Sequence, residues 1–420
     1  MKTLILGAGI AGLSSAMVQQ DQGDDVEILE AGNGVALETS FGNGGLMSPQ
    51  LCEPFNQPGV SKLMIPALLG KKGSMLRIFP KALPSLICWG LKFLRSSTNQ
   101  RFLQSAAGNY RLSAYSQNKT RQVINDNNFD IKFQNNGIMQ VFRDQAMFDH
   151  CIAMHEQFAK EFDLQYEVLN KAEALIKEPH LEHSSDDLVG VIQYTDGARG
   201  ECPLFCQQLA DLLTSRGAKI TTNVKVEKII VENGCATGVQ TSQGVIKADR
   251  IIVALGNNAP AILAKAGINL PVRPVKGYTI SIPVDAELPK SVLLDIGLHM
   301  GIIPIHHNNT LRIGGGAEFA GLDNSFKKSY EDQAYATVEK AMPHLVPHLK
   351  RDQQKTWVGF RSSSFDGNPF IGPTKVNSLY VNSGLGHLGW IQGMGAASML
   401  GDIIIGKQPE IDATPYRLDR

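Results

Sequence analysis

Short apolar runs broken by glycine set the rhythm of this chain. Thr3–Leu6 reads as a buried strand, Gly7 and Gly9 as a tight turn, and about Ile10–Gln22 as a helix. A second strand is expected at Val26–Leu29, ending in Glu30. The opening apolar run is too short, and lacks a small-residue cleavage site, to read as a secretory leader. Val224–Ala248 predicts a small antiparallel meander with Asn-Gly and Gln-Gly turns, followed by a buried strand from Arg250 that runs into Gly256. Near the C-terminus a strand at Leu379–Val381 leads through glycines into an apolar helix from about Ile391 to Ile404. Alternation elsewhere predicts strands containing Ile131 and Phe133, then Ile138, Met139 and Val141, with Asn135-Asn136-Gly137 as the turn between them. It continues at Tyr278, Ile280 and Ile282, at Met300–Ile305 and at Leu311–Gly314.

The chain has 420 residues, enough for two domains, and 43% of them are hydrophobic, enough for a sizeable core. Forty basic residues balance forty acidic ones, which argues against nucleic-acid binding driven by overall charge. Six scattered cysteines form no disulfide framework, so a reducing, cytoplasmic setting is expected. No apolar run reaches the roughly 18 residues of a spanning helix.

Gly7, Gly9 and Gly12 form G-x-G-x-x-G between a strand and a helix, and Glu30 lies 18 residues beyond Gly12. Such a turn lets a pyrophosphate approach the backbone, and the acid accepts ribose hydroxyls while repelling a 2′-phosphate. A tight turn that binds nothing is the alternative. The polar loop with Thr39, Ser40, Asn43, Gly44 and Gly45, and the approach at Gly256, could reach the same ligand. Gly384, Gly386 and Gly389 repeat the glycine spacing between the last strand and helix. Two such turns suit an extended cofactor held at both ends, with the second helix N-terminus near a ring that carries negative charge when reduced. That favours FAD over NAD. The cofactor contacts are therefore expected at Gly7, Ala8, Gly9, Ile10, Ala11 and Gly12, then Glu30 and Ala31. Further contacts are expected at Thr39, Ser40, Asn43, Gly44, Gly45 and Leu46, at Val226, Ala254 and Gly256, and at Gly384, Gly386, His387, Leu388 and Gly389.

The opening LGAGIAGL, ETSFGNGGLMSP at 38–49, the step Gln57-Pro58-Gly59-Val60, KGYTISIP at 276–283, RIGGGAE at 312–318, WVGFRSSSFDGNPFIG at 357–372 and SGLGHLGW at 383–390 occur in this order. Together they resemble the FAD-dependent D-amino-acid oxidase superfamily, and within it the small subunits of the bacterial D-amino-acid dehydrogenases. The stretch from Arg361 to Asp366 departs from that subgroup in lacking its prolines, and Gly384-Leu385-Gly386 departs from its Gly-His-Gly. The expected fold is α/β, with a Rossmann-like FAD domain interleaved with an α+β substrate domain on a mixed sheet. The expected segments are 1–50, 190–270 and 350–420 for the first, and 51–189 and 271–349 for the second.

The resemblance implies oxidative deamination of D-amino acids to 2-oxo acids and ammonia, with hydride passing to flavin and electrons to a quinone-type acceptor. An oxygen-dependent oxidase of glycine, sarcosine or a cyclic imino acid such as D-proline is the alternative. Arg361 is the expected carboxylate clamp, because a guanidinium meets a carboxylate bidentately. Tyr278 could add a hydroxyl to that carboxylate, and an aromatic on an alternating strand is as often core. His387 and Trp390 could wall the amine side. His306-His307 and the pair Cys202 and Cys206 lack the partners of a metal site, and the two cysteines are expected in a core. The family's cysteinyl flavin link lies in the C-terminal third, whereas the last cysteine is Cys235; a histidyl link near the N-terminus is excluded by His150 being the first histidine. FAD is expected to be noncovalent.

Between Glu53 and Asp126 no acidic residue occurs, while Lys62, Lys71, Lys72, Arg77, Lys81, Lys92 and Arg95 lie among Leu, Ile, Phe and Trp residues. Residues 62–95 are expected to meet an anionic membrane surface, on the inner face of the cell membrane, with Leu, Phe or Trp inserted. A helical lobe whose apolar face is buried is the plain alternative.

Overall fold

The computed structural model describes residues 1–69, 76–184 and 187–420. Strand Lys2–Leu6, helix Ile10–Asp21 and strand Asp25–Leu29 form the expected opening unit. Leu4, Ile5 and Leu6 are wholly buried because parallel neighbours and covering layers enclose them on both faces. The sheet has six strands, in the order Phe370–Pro373, Leu379–Ser383, Arg250–Val253, Lys2–Leu6, Asp25–Leu29, Lys219–Thr221. All neighbours are parallel except Phe370–Pro373 against Leu379–Ser383. The meander is a separate three-stranded antiparallel sheet, Val226–Glu232, Cys235–Thr241 and Gly244–Lys247. Cys202 and Cys206, both fully buried, sit in the core under the first helix.

The second layer is a mixed ten-stranded sheet centred on Val272–Pro283, which is flanked by Thr310–Phe319 and Lys355–Ser364. Two strands expected in the cofactor domain, Gly190–Tyr194 and Lys355–Ser364, belong to this large sheet. Helix Asn99–Asn127, expected in the substrate domain, packs instead on the C-terminal helix Gly389–Ile404. Ser116 Oγ accepts from Gly395 N at 2.8 Å, and a Cβ on Gly395 would lie 2.5 Å from that of Ser116. Glycine permits this close helix approach.

The expected strand at Ile131 and Phe133 does not form. Lys132 adopts φ +54°, and its N–H donates to Asp130 Oδ1 at 3.1 Å. That local side-chain turn replaces ladder pairing, so Ile131 points into the core while Phe133 is exposed. Ile138–Phe142 does form a strand, but its neighbours are Val292–Asp295 and Gly190–Tyr194 rather than a hairpin partner before Gly137.

Candidate active site

Three chain segments converge on Phe360 and its neighbours Arg361 and Ser362. Thr39 Oγ1 and Asn257 Nδ2 both donate to the Phe360 carbonyl, each at 2.7 Å. Ser362 pairs with Gly386, which sets the second glycine turn beside Arg361. Ser383 Oγ donates to the Gly256 carbonyl at 3.2 Å, joining that turn to the end of the Arg250 strand.

The first glycine turn is sterically tight where it must be. A Cβ on Gly12 would lie 1.8 Å from the Gly7 carbonyl oxygen, and one on Gly7, at φ +100°, would lie 2.7 Å from that of Ala254. Gly9 differs: its nearest would-be neighbour is Ser40 Oγ at 3.4 Å, which leaves space over the turn. Helix Ile10–Asp21 starts without a side-chain cap on Gly9, although Ser40 Oγ accepts from Ile10 N. Its first N–H groups face the place a pyrophosphate would take. Glu30 accepts from Ala8 N at 2.9 Å and Gly32 N at 2.7 Å, so its carboxylate is fixed at the rim of that turn. Val224 N donates to the Glu30 carbonyl, bringing the Val226 strand alongside, and Ala31 is exposed next to it. These residues fit an adenosine diphosphate moiety.

The second loop is braced from three sides. Asn43 Oδ1 accepts from Gly45 N, Arg312 Nη1 donates to the Asn43 carbonyl at 2.8 Å, and Trp390 Nε1 donates to the Gly45 carbonyl at 3.2 Å. Gly45 takes φ +73°, and a Cβ there would meet the Gly200 carbonyl oxygen at 2.7 Å. A Cβ on Gly44 would strike Leu46 and Ile303. The C-terminal helix begins at Gly389 after Leu388, again without a side-chain cap, and Gly384 and Gly386 take φ of +80° and +57°. The two loops that a flavin ring would lie between are thus tied together through Trp390.

Arg361 lies half-buried on the large sheet, its Nη1 donating to the Gly316 carbonyl at 2.6 Å. Gly277 makes room for it: a Cβ there would sit 2.6 Å from Nη1. Burial alone draws its pKa down, and no acidic group among the described residues offsets its charge. The guanidinium keeps further N–H donors for a ligand. His387 lines the adjoining cleft, its ring 4.7 Å from that of Phe55. His387 is exposed by its accessible surface. Burial, and then the Arg361 charge, push its pKa down to about 4, so it is neutral at physiological pH.

Two expected site residues stand elsewhere. Tyr278 follows Gly277 on the same strand, so its side chain takes the face opposite Arg361. It is core: stacked on Tyr330 at 4.2 Å, its hydroxyl donating to Gln333 Oε1 at 2.8 Å. Trp390 is also core rather than cleft wall, packed edge-on against Phe205. Its indole N–H still reaches the Gly45 carbonyl.

The cleft encloses about 740 Å³, open solvent at its mouth included. Its wall comes partly from helix Leu83–Ser96 through Trp89 and Phe93, and from Phe55, Ala317 and Phe319. The sequence reading missed these residues as site residues. The only available signal was that Trp89 and Phe93 are four apart, one face of a helix.

Together these features define a flavin-binding oxidoreductase fold with an apolar cleft next to Arg361. Residues 2–403 match the FAD dependent oxidoreductase family, DAO, and the chain belongs to it. A D-amino acid dehydrogenase of Bradyrhizobium diazoefficiens is 34% identical over 425 residues, covering 100% of this chain and 99% of that one. One from Vibrio cholerae is 33% identical over 415 residues, covering 97% and 96%. In fold the chain is similar to glycine oxidase from Geobacillus kaustophilus, with a TM-score of 0.76 at 19% identity, covering 100% of this chain and 98% of that one. L-proline dehydrogenase from P. horikoshii gives a TM-score of 0.78 at 16% identity, with the same coverage. The protein is an FAD-dependent enzyme of amino-acid oxidation.

Proposed function

We propose that the protein deaminates D-amino acids to 2-oxo acids and ammonia, with noncovalent FAD as hydride acceptor and a quinone as the final acceptor. Arg361 is the observation that carries this reading. It is a half-buried cation without an acidic partner among the described residues, placed beside the second glycine turn and the cleft. A substrate carboxylate would neutralise it bidentately and so fix the α-carbon. Preference for the D-enantiomer is supported by the names of the relatives alone.

When bound, FAD supplies the two-electron acceptor. The chain's residues do the rest. Arg361 orients the carboxylate, and neutral His387 faces the amine without repelling it. The aromatic wall keeps water from the α-carbon until the α C–H has left as hydride and the amine nitrogen has lost its proton. Water then adds to the resulting imino acid, releasing ammonia and the 2-oxo acid. Noncovalent attachment is supported by the sequence, in which no cysteine follows Cys235 and no histidine precedes His150.

Membrane contact is supported by the outer face of helix Leu83–Ser96. Leu83, Ile87 and Leu91, four residues apart, are 39%, 62% and 61% exposed, with Lys92 and Arg95 exposed nearby. Leu69 is exposed as well. Trp89 and Phe93, expected among the inserted residues, instead turn inward to the cleft. Lys71 and Lys72 lie outside the described residues. No helix among the described residues is long and apolar enough to cross a membrane. This surface would hold the enzyme on the cytoplasmic side of the inner membrane, where quinone is dissolved.

The test is turnover of the purified holoenzyme with a D-amino acid and a quinone or dye. Equimolar 2-oxo acid and ammonia with little hydrogen peroxide is expected. Peroxide formed as fast as the dye is reduced would make the protein an oxygen-using oxidase instead.

A further inference from the structure

We propose that the cleft beside Arg361 is a side-chain pocket for neutral amino acids with a large apolar or aromatic side chain. The inference rests on the amino-acid oxidation argued above and adds its substrate class. Among the described residues, no Asp, Glu, Lys or Arg lines the cleft. Its inner surface is dominated by Trp89, Phe93, Phe319, Val60 and Val275. Trp89 and Phe93 stack at 5.0 Å, and Trp89 meets Phe319 at 5.3 Å, so the wall is a continuous aromatic surface.

A carboxylate or ammonium on the substrate side chain would lose its hydration here with no counter-charge to replace it. A methyl group would leave most of the space to water. A phenyl or branched aliphatic group would exchange that water for apolar contact, at about fourfold in affinity for each buried methylene. Three lining residues carry buried polar atoms without a hydrogen-bond partner: Asn56 Oδ1, Trp89 Nε1 and Ser363 Oγ. With almost no accessible surface of their own, these atoms leave the wall that meets a ligand largely apolar.

Two measurements on the FAD-loaded enzyme test this. The first is dye-linked kcat/KM for D-phenylalanine, D-leucine and D-methionine against D-alanine, D-glutamate and D-lysine. The large neutral substrates should exceed D-alanine about tenfold or more, the worth of a few buried methylenes, and exceed both charged ones by still more. The second needs no turnover: binding of 3-phenylpropanoate, propanoate and butanedioate, read from the flavin absorption band and from thermal stabilisation. The expected order is 3-phenylpropanoate, then propanoate, then butanedioate. If that order holds while no amino acid is oxidised, the pocket stands and the oxidation reading falls. Equal binding of the three, or preference for D-alanine or D-glutamate, overturns the pocket. Ala317→Leu narrows the same wall and should lower the D-phenylalanine to D-alanine ratio about tenfold. An unchanged ratio in a folded, FAD-loaded variant also overturns it.

Discussion

Without its guanidinium at Arg361, the large sheet would present no cation to a substrate carboxylate beside the second glycine turn. Arg361→Leu should keep FAD but lose roughly a hundredfold or more in kcat/KM, the typical effect of deleting one partner of a desolvated charge pair. Arg361→Lys should recover only part, since an ammonium lacks the planar fork. Steady-state kinetics of the two variants decide the matter, and near-normal kcat/KM in Arg361→Leu would remove this residue from the site. The pH profile gives a second residue-scale test. His387, with its pKa pushed down to about 4, stays neutral through the working range. Because the folded chain holds that proton less tightly than the unfolded one, acidification from about 6.5 toward about 4 favours unfolding. A different group titrates near neutrality: Glu53, pushed up to about 7 by burial, in a small cavity with Tyr110 and His155 behind Pro54 and Phe55. Any break in kcat/KM near pH 7 should therefore vanish in Glu53→Gln and persist in His387→Asn, and the converse result contradicts this assignment. Arg361 was legible in the sequence because its motif names it. Tyr278 was misplaced because alternation shows that a strand has two faces without saying which one meets the cleft.

At the scale of elements, the strand–turn–helix units at both ends of the chain could be read from glycine spacing, since steric demands act locally. Gly9 and Gly12 separate two of those demands. Gly12→Ala places a Cβ against the Gly7 carbonyl and should destabilise the fold itself. Gly9→Ala has ordinary contact distance to Ser40 and an unstrained φ of −80°, so it should fold. It should nonetheless lose FAD affinity about tenfold or more, the scale of one displaced charge-assisted hydrogen bond. Thermal melting and the flavin-to-protein ratio read the two effects apart, and a Gly9→Ala protein with full flavin would contradict the pyrophosphate placement. Helix Leu83–Ser96 was harder to read, because both of its faces are apolar and composition cannot tell a cleft wall from an outer surface. The structure divides them, Trp89 and Phe93 inward, Ile87 and Leu91 outward. Ile87→Gln with Leu91→Gln should release the protein from anionic vesicles in low salt while leaving dye-linked turnover intact. Wild-type protein that ignores such vesicles would rule out the membrane surface. The failed strand at Ile131 and Phe133 has a local cause too, the Asp130 side chain satisfying the Lys132 N–H.

For the molecule as a whole, the order of motifs implied two interleaved layers, yet not which strands join which sheet. Gly190–Tyr194 and Lys355–Ser364 cross between the expected segments because pairing partners are set by long-range contacts that no local pattern encodes. One consequence is that Arg361 stands on the large sheet while the loops carrying Thr39 and Asn257 bond to the adjacent Phe360. In the proposed reading the flavin is held without a covalent link, so acid precipitation should release intact FAD and leave a colourless pellet; colour kept by the protein would show a covalent bond. The central claim is that Arg361 and this cleft deliver the α-hydrogen of a D-amino acid to the flavin. Anaerobic mixing of the holoenzyme with matched D- and L-amino acids tests it most directly, by the loss of the flavin absorption band. Rapid bleaching by the D-enantiomers, slow or absent with the L-enantiomers and abolished in Arg361→Leu, is the predicted result. A band that no D-amino acid bleaches, or that L-enantiomers bleach equally fast, would contradict it.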